Sequence, residues 1–367
     1  MIKGGDELIV TISRDELLRA MSRPCKIAKG QSESHLACVL IEARGDELSV
    51  EANDLYESCS VTAPAIVEEP GSALVSGKSL EAIVKSMSEG AVTIALSPSG
   101  VSVSCGRAEF GVPSLDPADF PSFPAPESGD TVTVPADSLA ALVKACSWAC
   151  AEEGKGAGSG AGRSVEGVLV EAGDGSLRLT GTDGLAMVRA KCEVESTGRM
   201  RESFPAAILQ TAAAACSGGD VILTSSGSQL RLRGEGFVMT ARAYSGDYPE
   251  CDRFFSFEPS CTVSVGRSVA LEAARRAAVI PGSNPVRIGF DDAGMTFSRS
   301  SDRESMSESV DANVSSPCEI GLNAKCLAAA LGCLSAGNVE ISMTDPLKPF
   351  VMRAGCVEAL LMPVRMR

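Results

Sequence analysis

Two stretches of the 367-residue chain invite a catalytic reading, and neither sustains it. Gly77-Lys78-Ser79 has the ending of a phosphate-binding loop, whose backbone amides and lysine would cradle a nucleotide, but the earlier glycine of that loop falls at Ser72, one place from Gly71. Gly154 to Gly162 is rich in glycine, yet it follows a helical pattern and precedes a strand, the reverse of a dinucleotide fingerprint, and reads as a mobile loop. His35 is the only histidine, so neither a His-based metal site nor a Ser/His/Asp triad can be assembled around a second one. The 14 cysteines are scattered singly with no C-x-x-C pair; Cys146 and Cys150, four apart on a helical pattern, read as small apolar fillers, reduced rather than bridged. Carboxylates are plentiful, but no pair stands out from surface charge. The expectation is a protein with no catalytic residues, no metal and no cofactor.

The residues with a binding chemistry lie at the end of the chain, where Ala359 to Arg367 reads A-L-L-M-P-V-R-M-R. A terminus is usually frayed and polar, so this apolar run implies a tail tied down on an apolar surface. Pro363 lacks a backbone donor, so the last strand either lies at a sheet edge or stops there. Two readings follow: a final core strand, or one wall of an apolar groove for a partner peptide. A formal net charge of -14 argues against a generic nucleic-acid binder, and 4% aromatic residues argue against a stacking platform for single strands. No apolar run reaches the length of a membrane span and the N-terminus has no signal-peptide core, so a soluble, cytoplasmic protein is expected.

The elements that position these residues follow one plan used three times. Ile9, Thr131 and Cys261 each open a short alternating strand that runs into an apolar pattern at helical spacing. Val39, Val168 and Arg287 each open two alternating runs around a Gly/Asp turn, the signature of a hairpin. Helices are then predicted at 77–88, 205–217 and 323–335, each followed by paired strands. Pro-rich joints near Phe120 and Tyr248 divide the chain into three domains, 1–126, 127–256 and 257–367. The fold class is α+β, each domain placing two helices on antiparallel sheet. Charge is unevenly spread: the helical segments and their ends hold 13 Lys and Arg against 8 Asp and Glu, in a body that is otherwise strongly acidic.

Taken with the threefold plan, Thr182 to Met187 (T-D-G-L-A-M), Phe110 to Pro121 (F-G-V-P-S-L-D-P-A-D-F-P), Asp247 to Phe255 (D-Y-P-E-C-D-R-F-F) and the closing D-P-L-K-P-F and L-L-M-P-V-R-M resemble the bacterial DNA sliding clamp, the beta subunit of the DNA polymerase III holoenzyme. The resemblance covers essentially the whole chain. It implies a non-enzymatic processivity factor, each chain forming half of a homodimeric ring that encircles duplex DNA without regard to sequence. Its implied partners are the DNA polymerase III alpha subunit, the clamp loader and other clamp-motif proteins.

Carried over to this sequence, the resemblance implies a peptide groove at Val165, Thr182, Gly184, Leu185, Ala186, Met187, Pro249, Arg253, Phe254, Pro349, Leu360, Leu361, Met362, Pro363, Val364, Arg365 and Met366. Thr182 and Arg253 would fix a peptide's backbone or polar end. The family often has His-Arg-Leu where this chain has Leu185, Ala186 and Met187, which makes one wall more apolar. For the contact between subunits, Phe110 and Val112 would face Val279 and Ile280, with Glu304 and Glu308 opposite Lys78 and Arg107. Arg19, Arg23, Lys26, Lys144 and Arg275 are candidates to face DNA, joined by Lys155 and Arg163 from the glycine-rich loop. The alternatives are a specialised duplicate clamp, as in antibiotic resistance, or a repeat-built small-molecule enzyme using Asp183 or a cysteine.

Overall fold

The computed structural model describes residues 7–28, 34–121, 128–152, 154, 162–215, 218–335 and 337–366. Within them the chain is an α+β protein whose open sheets are antiparallel throughout their registered pairings. The helices are α1 (Arg14–Met21), α2 (Pro24–Ile27), α3 (Gly77–Ser86), α4 (Ala136–Cys146), α5 (Ala206–Ala215), α6 (Arg267–Val279) and α7 (Ala324–Cys333). The order strand, helix, hairpin recurs three times. It runs Leu8–Ser13, α1, then Cys38–Arg44 with Glu47–Asn53; Asp130–Pro135, α4, then Gly167–Gly173 with Ser176–Thr182; and Cys261–Gly266, α6, then Val286–Asp291 with Gly294–Ser300. No helix among the described residues is long and apolar enough to cross a membrane.

Local chemistry sets these boundaries. Ser13 ends its strand and caps α1, its hydroxyl accepting from the Glu16 amide at 3.2 Å, while Asp15 and Glu16 meet the positive end of the helix. Leu17, Ala20 and Met21 form the buried stripe of α1, at i, i+3 and i+4. Asn323 caps α7 through two amides, Lys325 at 3.0 Å and Cys326 at 3.2 Å. Strands bury alternate residues, as with Leu8, Val10 and Ile12.

The chain folds as two compact units, residues 1–136 with 211–242, and residues 137–210 with 243–367. In unit 1 one sheet runs Ile66–Glu69, Leu8–Ser13, Ala91–Ser97, Gly100–Cys105, Ala108–Val112. Another includes, in order, Cys38–Arg44, Glu47–Asn53, Glu57–Pro64, Phe237–Arg242 and Gln229–Gly234. In unit 2 one sheet runs Met200–Pro205, Gly167–Gly173, Ser176–Thr182, Ala186–Glu193, Val357–Leu361, Phe350–Ala354, Asn338–Met343, Cys261–Gly266, Ala312–Val314. A smaller sheet runs Ser305–Val310, Gly294–Ser300, Val286–Asp291, Cys318–Leu322.

The last strand is interior, not an edge. Val357–Leu361 pairs with Ala186–Glu193 on one side and Phe350–Ala354 on the other, and it stops two residues before Pro363. The core-strand reading holds for Leu361, which is 2% exposed, whereas Met362 and Val364 beyond the strand remain about two-fifths exposed.

Candidate functional site

In unit 2 the sheet register lines up Thr182, Met187, Leu360 and Val351 across four neighbouring strands. Side chains in such a row share a face, so one band of sheet is apolar except for its first member. Leu169, Tyr248, Cys251 and Phe255 pack beside this row and make a buried floor with Val165. The floor is closed at one end by a turn and at the other by the 244–255 segment.

The turn between Ser176–Thr182 and Ala186–Glu193 is fixed by its own side chains. The Thr182 hydroxyl accepts from the Gly184 amide at 3.1 Å and donates to the Ala186 carbonyl at 2.7 Å. Asp183 Oδ1 accepts from the amides of Leu185 at 2.8 Å and Ala186 at 2.7 Å. Gly184 has φ +87°, a left-handed conformation that glycine adopts without strain. The Leu185 carbonyl accepts from the Met362 amide at 2.8 Å, which ties the tail to the turn. Thr182 is 2% exposed with its hydroxyl engaged on both sides, so its part is to hold the turn rather than to grip a peptide, a correction to the role expected of it.

Opposite, the 244–255 segment is held by buried polar contacts. Tyr248 donates to the Thr180 carbonyl at 3.1 Å, and burial pushes its phenol well above the ordinary range, keeping it a donor. Ser164 Oγ donates to the Asp247 carbonyl at 3.1 Å. Below the 3₁₀ turn Asp252–Phe254 lies an arginine network. Arg189 bonds Glu358 and Asp252 and sets its guanidinium 4.0 Å from the centre of the Phe255 ring; Arg353 bonds Glu358 at 2.8 Å and the Phe255 carbonyl at 2.6 Å. Burial pushes the Glu358 carboxyl up, but hydrogen bonds from Arg189 and Arg353 outweigh it and hold the group below the usual carboxylate value.

Between turn and segment is a cavity of about 200 Å³ lined by Val165, Thr182, Gly184, Leu185, Ala186, Met187, Pro249, Phe254, Leu360 and Met362. Every one of these residues is among those expected from the sequence. Leu185, 69% exposed, and Met362, 38% exposed, form its open lip. Arg253 is exposed at the rim with its guanidinium 4.8 Å from the Phe254 ring centre. Seven expected residues do not line the cavity. Besides Arg253 these are Pro349, which is half-buried, and Leu361, which points into the core on the other face of the strand. Pro363 turns the tail away, and Val364, Arg365 and Met366 border a separate, polar hollow with Arg287, Ser298 and Ser305. The Val364 amide bonds the Gly321 carbonyl at 2.8 Å; a Cβ on Gly321 would come within 2.7 Å of Met366, so glycine admits the tail there.

The remaining candidates divide. Lys26 and Lys144 are exposed; Arg19 pairs with Glu16 and Arg275 with Glu272 on their own helices. Arg23 leaves the DNA-facing set, because its guanidinium is 14% exposed and bonds Glu57 at 2.8 Å. Lys155 lies outside the described residues, as does the side chain of Arg163. Phe110 is 37% exposed on Ala108–Val112, the edge strand of its sheet, and Val279 is 78% exposed where α6 ends. Lys78, Arg107 and Glu304 are exposed and Ile280 is half-buried. Of the other two interface expectations, Val112 is 4% exposed in unit 1, and Glu308 is held bidentate by Arg276 at 2.6 and 2.7 Å in its own chain.

Two family models match the chain, the N-terminal domain of the DNA polymerase III beta subunit over residues 8–124 and its C-terminal domain over residues 255–365. Among curated relatives the chain is 28% identical to a beta sliding clamp of Streptomyces coelicolor, over 97% of this chain and 99% of that one. It is 23% identical to that of Escherichia coli over the same shares. Among solved structures it superposes on the sliding clamp of Bacillus subtilis with a TM-score of 0.88 at 20% identity, covering 98% of this chain and all of that one. A Pseudomonas aeruginosa sliding clamp bound to griselimycin gives the same score at 21% identity, covering 99% of this chain and all of that one.

Proposed function

The chain belongs to the DNA polymerase III beta subunit family, and on that premise we propose that it is a processivity clamp that acts by confinement rather than chemistry. Two copies close into a ring around duplex DNA, each contributing three domains, 1–126, 127–256 and 257–367. The groove in unit 2 receives short peptide segments of the DNA polymerase III alpha subunit, the clamp loader and other clamp-motif proteins. Tethering raises the local concentration of the polymerase, so it rebinds its template before diffusing away.

The observation that carries this reading is the preformed apolar cavity with its exposed Leu185 and Met362. Its floor is buried, its lip is exposed, and a flexible methionine on that lip can adapt to different anchors. Exposed Lys26 and Lys144 suit transient phosphate contacts, while a net charge of -14 keeps nonspecific affinity low. Ala108–Val112 and Ser305–Val310 are each the outermost strand of their sheet among the described residues, where another copy could pair, beside exposed Phe110 and Val279.

The test is primer extension on a primed single-stranded circle with the cognate polymerase, clamp loader and ATP. Addition of the protein should convert short products into long ones, and Leu185→Asp with Met362→Asp should abolish that gain. Products of unchanged length would defeat the proposal.

A further inference from the structure

The apolar row Thr182, Met187, Leu360 and Val351 has an ionic row beside it on the same face of the sheet. Two residues along from Met187, Leu360 and Val351 stand Arg189, Glu358 and Arg353, which are direct partners across their strands. On the neighbouring strands Arg178, Glu171 and Arg201 are direct partners in the same way. Across six adjacent strands the charges therefore run Arg201, Glu171, Arg178, Arg189, Glu358, Arg353. They alternate in sign except at the centre, where two arginines adjoin and Arg178 also stands opposite Lys191. Like charges so placed destabilise a sheet.

The missing carboxylate comes from outside the sheet. Asp252 Oδ1 accepts from Arg178 Nη1 at 3.0 Å and from Arg189 Nη1 at 2.8 Å. With it the bonds are continuous along the row: Arg201 and Arg178 donate to Glu171 at 3.2 and 2.9 Å, and Arg189 and Arg353 donate to Glu358. Arg201 also donates to Glu250 at 3.3 Å, and Arg353 to the Phe255 carbonyl at 2.6 Å. The segment is thus fastened at Glu250, Asp252 and Phe255, next to Pro249 and Phe254, which line the cavity. Asp252 is exposed and lines no part of the cavity, so each of its bonds is screened, but Arg189 is only 16% exposed and one carboxylate serves both arginines.

We infer that Asp252 is a positioning residue for the groove: seated between Arg178 and Arg189, it fixes where Pro249 and Phe254 stand and so sets peptide affinity without touching the peptide. A shift of the segment by one residue would bring Cys251 or Arg253 to the two arginines, so the charge pattern selects one register over its neighbours. The inference rests on the groove proposal for one step, that a peptide enters; the seating of the segment is measured without one.

The experiment compares the intact parent, Asp252→Asn, Phe254→Ala and the double variant. Without peptide, hydrogen exchange read by mass spectrometry and corrected for intrinsic rates should speed up about threefold or more in the 249–255 segment of Asp252→Asn. The Phe254 and Phe255 amides bond the Cys251 and Asp252 carbonyls, and these bonds open more often once the turn is released. With a labelled peptide from the clamp-binding segment of the cognate polymerase, fluorescence anisotropy should show Asp252→Asn weakening binding about three- to tenfold. The same change should cost less than about twofold when Phe254 is already alanine. Peptides with lysine or glutamate flanks should lose equally, whereas a direct charge contact would favour one of them. Asparagine keeps the shape of the side chain, so the fold should persist, and Arg178→Gln, which removes one of the two bonds, should give a smaller change in the same direction. Asp174→Asn breaks an exposed pair with Arg199 that shares no residue with the row, and should leave both readouts within about twofold. Unchanged exchange, unchanged affinity, an additive double variant or a flank-dependent loss overturns the inference. A parent that binds no peptide defeats the groove proposal and the effect on affinity with it, while the exchange result still decides the seating of the segment.

Discussion

Leu185→Ala tests whether the lip of the groove contributes affinity in proportion to what it leaves uncovered. A residue can gain from a bound peptide only through the area it still exposes, so Leu185, 69% exposed, has most of its burial energy in reserve. Fully burying a leucine is worth about 1.5–3 kcal/mol, so covering that fraction sets a ceiling of about 1–2 kcal/mol. This corresponds to a dissociation constant raised about 5- to 30-fold. Alanine keeps the backbone amide that Asp183 accepts, so the turn should survive. Met187, only 7% exposed, makes the contrast: Met187→Ala should lower stability by about 2–5 kcal/mol because it opens a hole in the floor. The assay is calorimetry with a peptide from the clamp-binding segment of the cognate polymerase, paired with thermal melts of both variants. A change in affinity below twofold for Leu185→Ala, or a Met187→Ala protein as stable as the parent, would refute the reasoning.

The Glu358 network gives a pH signature. Its carboxyl is held below the ordinary value of 4.5, so its contribution to stability is fully present above that value and is lost as pH falls through the lowered folded value. Urea melts across the acid range should show Glu358→Gln flattening the loss of stability, and an unchanged slope would count against the network. For the proposed contact between copies, Val279→Lys with Ile280→Lys should give a monomer in sedimentation at low micromolar concentration; a persisting dimer would remove these residues from the interface. Burial pushes the Cys59 and Cys150 thiols up to about 12, whereas Cys356 is exposed. Thiol labelling at mildly alkaline pH, read by mass spectrometry, should therefore reach Cys356 before either of them, and the reverse order would contradict the packing.

Periodicity made the repeated elements legible. Helices expected at 77–88 and 323–335 form at Gly77–Ser86 and Ala324–Cys333, because a capping residue sits before each and an apolar stripe runs through it. The cavity lining at Thr182 to Met187 and Leu360 was expected from the resemblance to the clamp family, since no local pattern marks those residues as neighbours of Val165 or Phe254. Its floor was not: Leu169, Tyr248 and Val351 meet through cross-strand register and a returning segment, neither of which local pattern encodes. Arg23 looked available because its partner, Glu57, is 34 residues away in sequence. Val112 was expected at the interface from the resemblance alone; it shares a strand face with Phe110, and only the packing around the end of that strand buries it while Phe110 stays exposed. In the tail the same alternation sends Leu360 to the groove and Leu361 to the core, and Pro363 ends the pattern.

Confinement is the central claim, and retention on DNA of different topology measures it directly. The protein should be loaded onto nicked circular duplex by the cognate clamp loader, separated from free protein by gel filtration, and followed before and after the circle is cut once. The account predicts co-elution with the circle at salt that abolishes ordinary phosphate contacts, and release once the DNA has ends. Equal retention on circular and linear DNA, or none on either, would contradict it.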